Sequence, residues 1–323
     1  MHELIEHLKK SKHVLLASHA HPDGDAIGSL IAMGFAIEAL KKKITLYNES
    51  PIPAVYRFLP YVDRVVRHVE TENAYDTAVI LDCGNLQRIG EAASAVSPIP
   101  TIINIDHHMT NTYFGTYQLI DTSACATAEI LYRVIKKMKI PFTKAIATLI
   151  YTGILTDTGS FRFSNTNRAA FTICEEMIGL GVDPYTIAQH VYGTYSLGRI
   201  KLLNLALDSI EISPNGKLSL MTLTEDMFVE TGTQPEDVDG MINYVKRIED
   251  VKVAALIQPD QNGRGNPANP LLFNVSLRSD GSVDVASIAS DFGGGGHFSA
   301  AGFTIELPLP DLKRTIFKLA ETL

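Results

Sequence analysis

Four apolar segments in the first half of the chain leave few folds open to it. "HVLLAS" (13–18), "KITLYNE" (43–49), "DTAVILDC" (76–83) and "TIINIDHH" (101–108) read as strands that are apolar on both faces. A strand buried on both faces belongs inside a parallel sheet, and parallel strands need long crossovers, which helices supply. One crossover is visible in "DAIGSLIAMGFAIEALKKK", helical by its apolar spacing and closed by a lysine run suited to a helix C-terminus. Further helical patterns fall at 127–138, 143–155, 167–180 and 184–210. The fold class expected is α/β, with a mostly parallel, doubly wound sheet covered by helices.

After residue 212 the texture changes. "GKLSLMTLT", "VKVAALIQ", "LLFNVSLRS" and "GFTIELP" are alternating strands, with helices near 235–248 and 309–321. That is an α+β pattern, and a length of 323 residues accommodates a second, smaller domain. The expected division is a first domain over 1–190, a helical linker over 191–212 and a second domain over 213–323. The polar stretch "QPDQNGRGNPANP" (258–270) reads as a surface loop.

Composition narrows the function. With 46% hydrophobic and 20% charged residues the chain is of the soluble globular kind. No apolar run approaches the roughly 20 residues that span a bilayer, and the start lacks a signal-peptide pattern. Cys83, Cys125 and Cys174 are widely spaced, form no zinc pattern and read as reduced core residues, so a cytoplasmic location is expected. A net charge of −8 argues against binding long nucleic acid, which needs clustered Lys and Arg, and leaves room for a short nucleotide.

The polar residues at the strand ends carry the chemistry. His19, Asp23 and Asp25 in "SHAHPDGDAIGS" come after the first strand; Asp82 ends "AVILD"; Asp106, His107 and His108 end "TIINI"; Asp157 lies in "YTGILTDTGSFRF". In an open parallel sheet ligands bind beyond the carboxyl ends of the strands, so these groups converge. Taken singly, an Asp after a strand is more often a helix cap than a ligand, and "HPDGD" is as readily a turn as a metal loop. Together they would repel one another unless cations neutralise them. Carboxylate oxygen mixed with imidazole nitrogen suits a metal such as Mn²⁺, and one central aspartate could bridge two ions roughly 3.5–4 Å apart.

"HPDGDAIGS", "ILDC", "DHH" and "TDTGSF", in that order, resemble the DHH phosphoesterase family, and "GGGGHFSAAGF" (293–303) resembles the glycine-rich motif of its associated C-terminal domain. The resemblance spans nearly the whole chain and fits the compact branch of nanoRNase and pAp-phosphatase enzymes. It implies a cleft between two domains and two divalent ions. One would be held by His19, Asp23 and Asp82, the other by Asp25, Asp82, His107 and Asp157. It places His108 near the substrate phosphate or leaving group, with Asp106 orienting a histidine. It also implies substrate contacts from Arg278, Ser279, Gly295, Gly296 and His297, where a guanidinium and bare backbone N–H groups meet phosphate.

The activity this resemblance implies is hydrolysis of oligoribonucleotides a few nucleotides long to mononucleotides, and of 3′-phosphoadenosine 5′-phosphate (pAp) to AMP. A homodimer is a further family expectation. Other readings are cleavage of linear or cyclic dinucleotides such as pApA, a manganese pyrophosphatase and a non-catalytic nucleotide sensor. A pyrophosphatase would want a phosphate cage richer in Lys and Arg; a sensor would have lost a ligand. An exonuclease of the RecJ type on long DNA fits the acidic charge poorly. Arg88 and Arg162 could each reach phosphate or pair with a nearby carboxylate.

Overall fold

A computed structural model of the chain describes residues 1–70, 75–193, 195–260 and 271–323. Most of the loop expected at 258–270 lies outside the described residues. The chain divides into two compact units, Met1–Thr194 and Tyr195–Leu323.

In the first unit the order is α1 (His2–Lys10), β1 (His13–Ser18), α2 (Gly24–Ala39), β2 (Lys43–Tyr47), β3 (Val65–Val66), β4 (Thr77–Leu81), α3 (Ala93–Val96), β5 (Thr101–Asp106) and β6 (Tyr117–Ile120). Four helices complete it: α4 (Thr127–Lys137), α5 (Lys144–Asp157), α6 (Arg168–Gly179) and α7 (Pro184–Tyr192). All the strand pairs are parallel, in the order β3-β2-β1-β4-β5-β6. Strand parity sorts the side chains. Val14, Leu16, Val79, Leu81, Ile103 and Ile105 face the large core with α1, α2, α4 and α5, while Leu15, Ala17, Ala78 and Ile80 face a smaller one with Ile89 and Val96. That is the doubly wound sheet expected. The edge strands β3 and β6 have two and four residues, too short to leave a pattern in the sequence.

Almost every side chain of α2 is buried, because it contacts the sheet and also α4 and α5. Glycine permits this approach. A Cβ on Gly28 would lie 2.6 Å from the Leu149 carbonyl oxygen; one on Gly153 would lie 2.7 Å from Ala128 Cβ and 2.8 Å from Asp25 Oδ1.

The second unit runs α8 (Leu197–Asp208), β7 (Glu211–Ile212), β8 (Leu218–Thr222), α9 (Glu225–Thr231), α10 (Ile242–Lys246), β9 (Val253–Pro259), β10 (Leu272–Ser279), α11 (Val285–Asp291), β11 (Gly295–His297), β12 (Ala300–Glu306) and α12 (Leu309–Leu319). Its sheet has the order β11-β12-β10-β9-β8-β7, antiparallel except where β8 meets β9. Phe273, Val275 and Leu277 pack with α11 and α12 on one face; Met221, Ala254 and Leu256 pack with α8, α9 and α10 on the other.

Two sequence expectations change here. The residues read as a linker, 191–212, include α8, whose Leu202 and Ala206 are fully buried against Met221 and Leu223; the helix therefore belongs to the second unit's core. The helical pattern at 184–210 also breaks in two. Ser196 accepts the Arg199 N–H at 3.0 Å and so starts a new helix, because an N-cap side chain satisfies an otherwise orphaned donor.

Candidate metal centre

The strand order of the first sheet reverses between β1 and β4, and such a reversal opens a crevice beyond the strands' carboxyl ends. His19 is the first residue past β1 and Asp82 the first past β4; Asp106 ends β5, with His107 and His108 next. Asp23 caps α2, taking the Ala26 N–H at 2.9 Å, and Asp25 sits in the first turn of that helix. Asp157 is the last residue of α5. Asp82 adopts φ +53°, a left-handed conformation that Asp accepts more readily than most residues.

Asp82 is the hub. His19, Asp23 and Asp82 each offer a ligand atom within 4.8 Å of the others, and so do Asp25, Asp82 and His107. His19 Nε2 lies 3.5 Å from Asp82 Oδ2, while His107 Nε2 lies 3.6 Å from Asp82 Oδ1 and 3.6 Å from Asp157 Oδ2. A third trio, Asp82, Asp106 and His108, meets the same criterion. The middle of the centre is buried, with Asp82 2% exposed and Asp25 fully buried, while Asp23 and Asp157 stay partly exposed.

His19 and His107 are each set in one tautomer. His19 Nδ1 is 2.8 Å from its neighbour Ala20's carbonyl oxygen, and His107 Nδ1 is 3.3 Å from that of Ala124. A carbonyl only accepts, so Nδ1 donates and Nε2 is the nitrogen turned toward the carboxylates, as a metal ligand requires. His108 is turned the other way: its Nδ1 lies 2.7 Å from Asp106 Oδ1. Asn111 donates to Asp106 Oδ2 at 2.6 Å and to Asn104 Oδ1 at 2.8 Å, which holds that carboxylate in place.

Residues 13–154 match the N-terminal domain of the DHH family, and residues 220–323 match the DHHA1 domain. A Thermus thermophilus protein named bifunctional oligoribonuclease and PAP phosphatase NrnA is 33% identical over 293 residues, covering 91% of this chain and 84% of its own. The chain belongs to the DHH family. The Bacillus subtilis protein of the same name is 26% identical over 310 residues, 94% of this chain and 92% of its own. Among solved structures, an exopolyphosphatase-related protein from Bacteroides fragilis superposes with a TM-score of 0.88 at 26% identity, over 99% of this chain and 96% of that one. An exonuclease RecJ bound to manganese shares the fold, with a TM-score of 0.53 at 13% identity.

The electrostatics of this DHH centre are those of a site short of positive charge. Burial, with the Asp82 and Asp157 carboxylates beside it, pushes Asp25 well above the ordinary carboxylate range. Burial pushes Asp157 up to about 7 despite His107. Burial opposes the charge on His107, yet Asp157, Asp82 and Asp25 raise it to about 9. Burial also works against ionised Asp82, but the His19 hydrogen bond and the fields of the three histidines hold it far below the usual range. Protons stand where cations would relieve the repulsion, and among these donors there is no thiolate. This donor set fits two hard or borderline divalent ions.

Several residues that hold the centre carry no mark in the sequence. The Thr127 hydroxyl donates to Asp82 Oδ1 at 3.0 Å. The Thr127 and Ala128 N–H groups, at the start of α4, donate to Asp25 Oδ2 and Oδ1 at 2.6 and 2.9 Å, and the Ser29 hydroxyl donates to Oδ1 at 3.1 Å. A carboxylate offers about four lone-pair positions, so three are used and one on Oδ2 remains for a cation. Asn165 donates to Asp157 Oδ2 at 3.2 Å. None of these has a signal beyond a small polar residue near an apolar run; only Thr127, opening a helix, was open to inference.

In the second unit Arg278 lies half-buried on β10, flanked in register by Ala254 and Ala300. Its Nη1 donates to the Leu277 carbonyl at 2.9 Å. Burial lowers its pKa despite the pull of Asp239, and burial and the Arg278 charge lower that of Lys246. Ser279 is placed otherwise than expected for a substrate contact. It shares the parity of Phe273, Val275 and Leu277, is fully buried, and accepts the Gly281 N–H at 3.3 Å. The glycine run ends in a strand. Gly295, Gly296 and His297 form the edge strand β11 against Gly302, Ala301 and Ala300. A Cβ on Gly296 would fall 2.5 Å from the Ala300 carbonyl oxygen.

Proposed function

We propose that this protein hydrolyses phosphate esters of very short oligoribonucleotides and of pAp, with two divalent ions, Mn²⁺ by preference, as cofactors. His19, Asp23 and Asp82 would hold one ion, and Asp25, Asp82, His107 and Asp157 the other. The sharing of Asp82 between two compact donor trios is the observation that carries this reading. The names borne by the Thermus and Bacillus relatives support the substrate class.

When bound, the ions supply Lewis acidity, acidifying water and neutralising phosphoryl oxygens as charge builds. The protein's part is orientation and proton placement. Asp106 accepts from His108 Nδ1, which aligns the imidazole; His108 then serves the departing sugar oxygen as proton donor. In the second unit Arg278, with Gly295, Gly296 and His297, binds substrate phosphate. Two alanines beside Arg278 and an edge strand of small residues leave room for an anion. Ser279, which faces the opposite side of β10 from Arg278, is left out of this set.

The test is a panel of di- to decanucleotides, pAp, pApA and pyrophosphate, assayed with Mn²⁺ and with Mg²⁺. Turnover of the shortest oligomers and of pAp, fading as length grows, is the expected outcome. No turnover of either a dinucleotide or pAp would overturn the assignment, and faster release of phosphate from pyrophosphate would replace it.

A further inference from the structure

Arg88 lies in the turn that leads away from Asp82, and its backbone is fastened on both sides. Its N–H donates to Asn85 Oδ1 at 3.1 Å, and its carbonyl oxygen accepts at 2.7 Å from the N–H of Ala20, the residue after His19. Ile89 beside it is fully buried, and Gly90 closes the turn at φ +89°. The guanidinium itself is exposed and, among the described residues, makes no hydrogen bond or ion pair. Its charge is nevertheless felt at His19, whose protonation it opposes, and at Cys83, whose ionisation it favours.

A cation on a turn that follows Asp82 and is pinned beside His19 would ordinarily pair with a nearby carboxylate. Here the anchored backbone keeps it at the rim, where it takes none of the oxygens that cations need. An arginine on a fixed loop, with its donors unclaimed, is suited to bidentate grip on a phosphoryl group. We propose that Arg88 holds a non-bridging phosphoryl oxygen of the substrate on the His19–Asp23 side of the centre, tightening as charge builds in the transition state. This inference rests on the phosphoesterase reading above.

Arg88→Ala and Arg88→Lys test it in the full-length, Mn²⁺-loaded protein. The alanine variant is expected to lose about 100-fold in kcat/KM on pAp. The lysine variant should recover part, since it restores charge without the planar fork. Manganese affinity and Tm should stay at wild-type values, because the side chain contacts neither ligand nor core. Binding of inorganic phosphate, measured by calorimetry, should weaken about tenfold in Arg88→Ala. A kcat/KM within about threefold of wild type overturns the proposal. So do phosphate binding equal to wild type, no phosphate binding by the wild type, or manganese affinity falling in step with activity. If the wild type turns over neither nucleotide, the proposed function fails while the phosphate comparison still decides Arg88.

Discussion

Around Asp82, five carboxylates and three histidines are tied to backbone and side-chain partners, whereas Arg278 in the second unit lies half-buried near another cation with its own chain's carbonyl as acceptor. The first region is over-determined: Asp23 and Asp25 are held at helix starts, His19 and His107 by backbone carbonyls, and Asp106 and Asp157 by side-chain amides. The second is sparse, with alanines in register beside Arg278 and glycines on the edge strand. Charge of one sign, buried without its counterpart, costs stability unless a ligand restores it. On the reading proposed above, the contrast is between a unit that receives cations and one that receives an anion.

Asp82→Asn should break the first half of that contrast most severely. Asn also accepts the left-handed backbone, so the substitution removes charge rather than conformation. Turnover is expected to fall by roughly three orders of magnitude, with loss of at least one of the two ions by metal titration.

The acidity of the cluster gives a second test. His107 titrates near 9 in the folded chain, so stability owed to its proton is present below its ordinary value of 6.5 and lost as pH rises toward 9. Asp157, raised to about 7, binds a proton in the folded chain that the unfolded chain has released, and it shifts stability the same way between pH 4 and 7. The Tm of chelated protein should therefore fall from pH 6 to pH 9, and added Mn²⁺ should restore more at the alkaline end. A chelated protein that grows more stable over that range would contradict the picture of protons standing in for ions.

In the second unit, Arg278→Met should raise KM for pAp by about 10- to 100-fold, the value of a lost charge-assisted hydrogen bond, while Tm holds or rises. A fall in Tm with KM unchanged would make Arg278 a structural residue. The smallest effect belongs to its neighbour. Ser279→Ala should cost about 1 kcal/mol or less, through the lost turn hydrogen bond, and leave KM where it was.

The pattern of apolar strands and the acid and imidazole groups at their ends was legible in the sequence, because each is a local feature. Buried parallel strands must be apolar on both faces, and their polar residues can only collect where they end. By the same logic the parity of β10 could have set Ser279 apart from Arg278, since side chains alternate along a strand. What only the tertiary structure decided are the long-range contacts. Thr127 and Ala128 reach Asp25 across about a hundred positions of chain, Asn111 steadies Asp106, and the last three residues of "GGGGH" become an edge strand because β12 is there to pair with them. A hydrogen bond between distant residues leaves no period in either partner's neighbourhood. It exists only once the fold has brought donor and acceptor together.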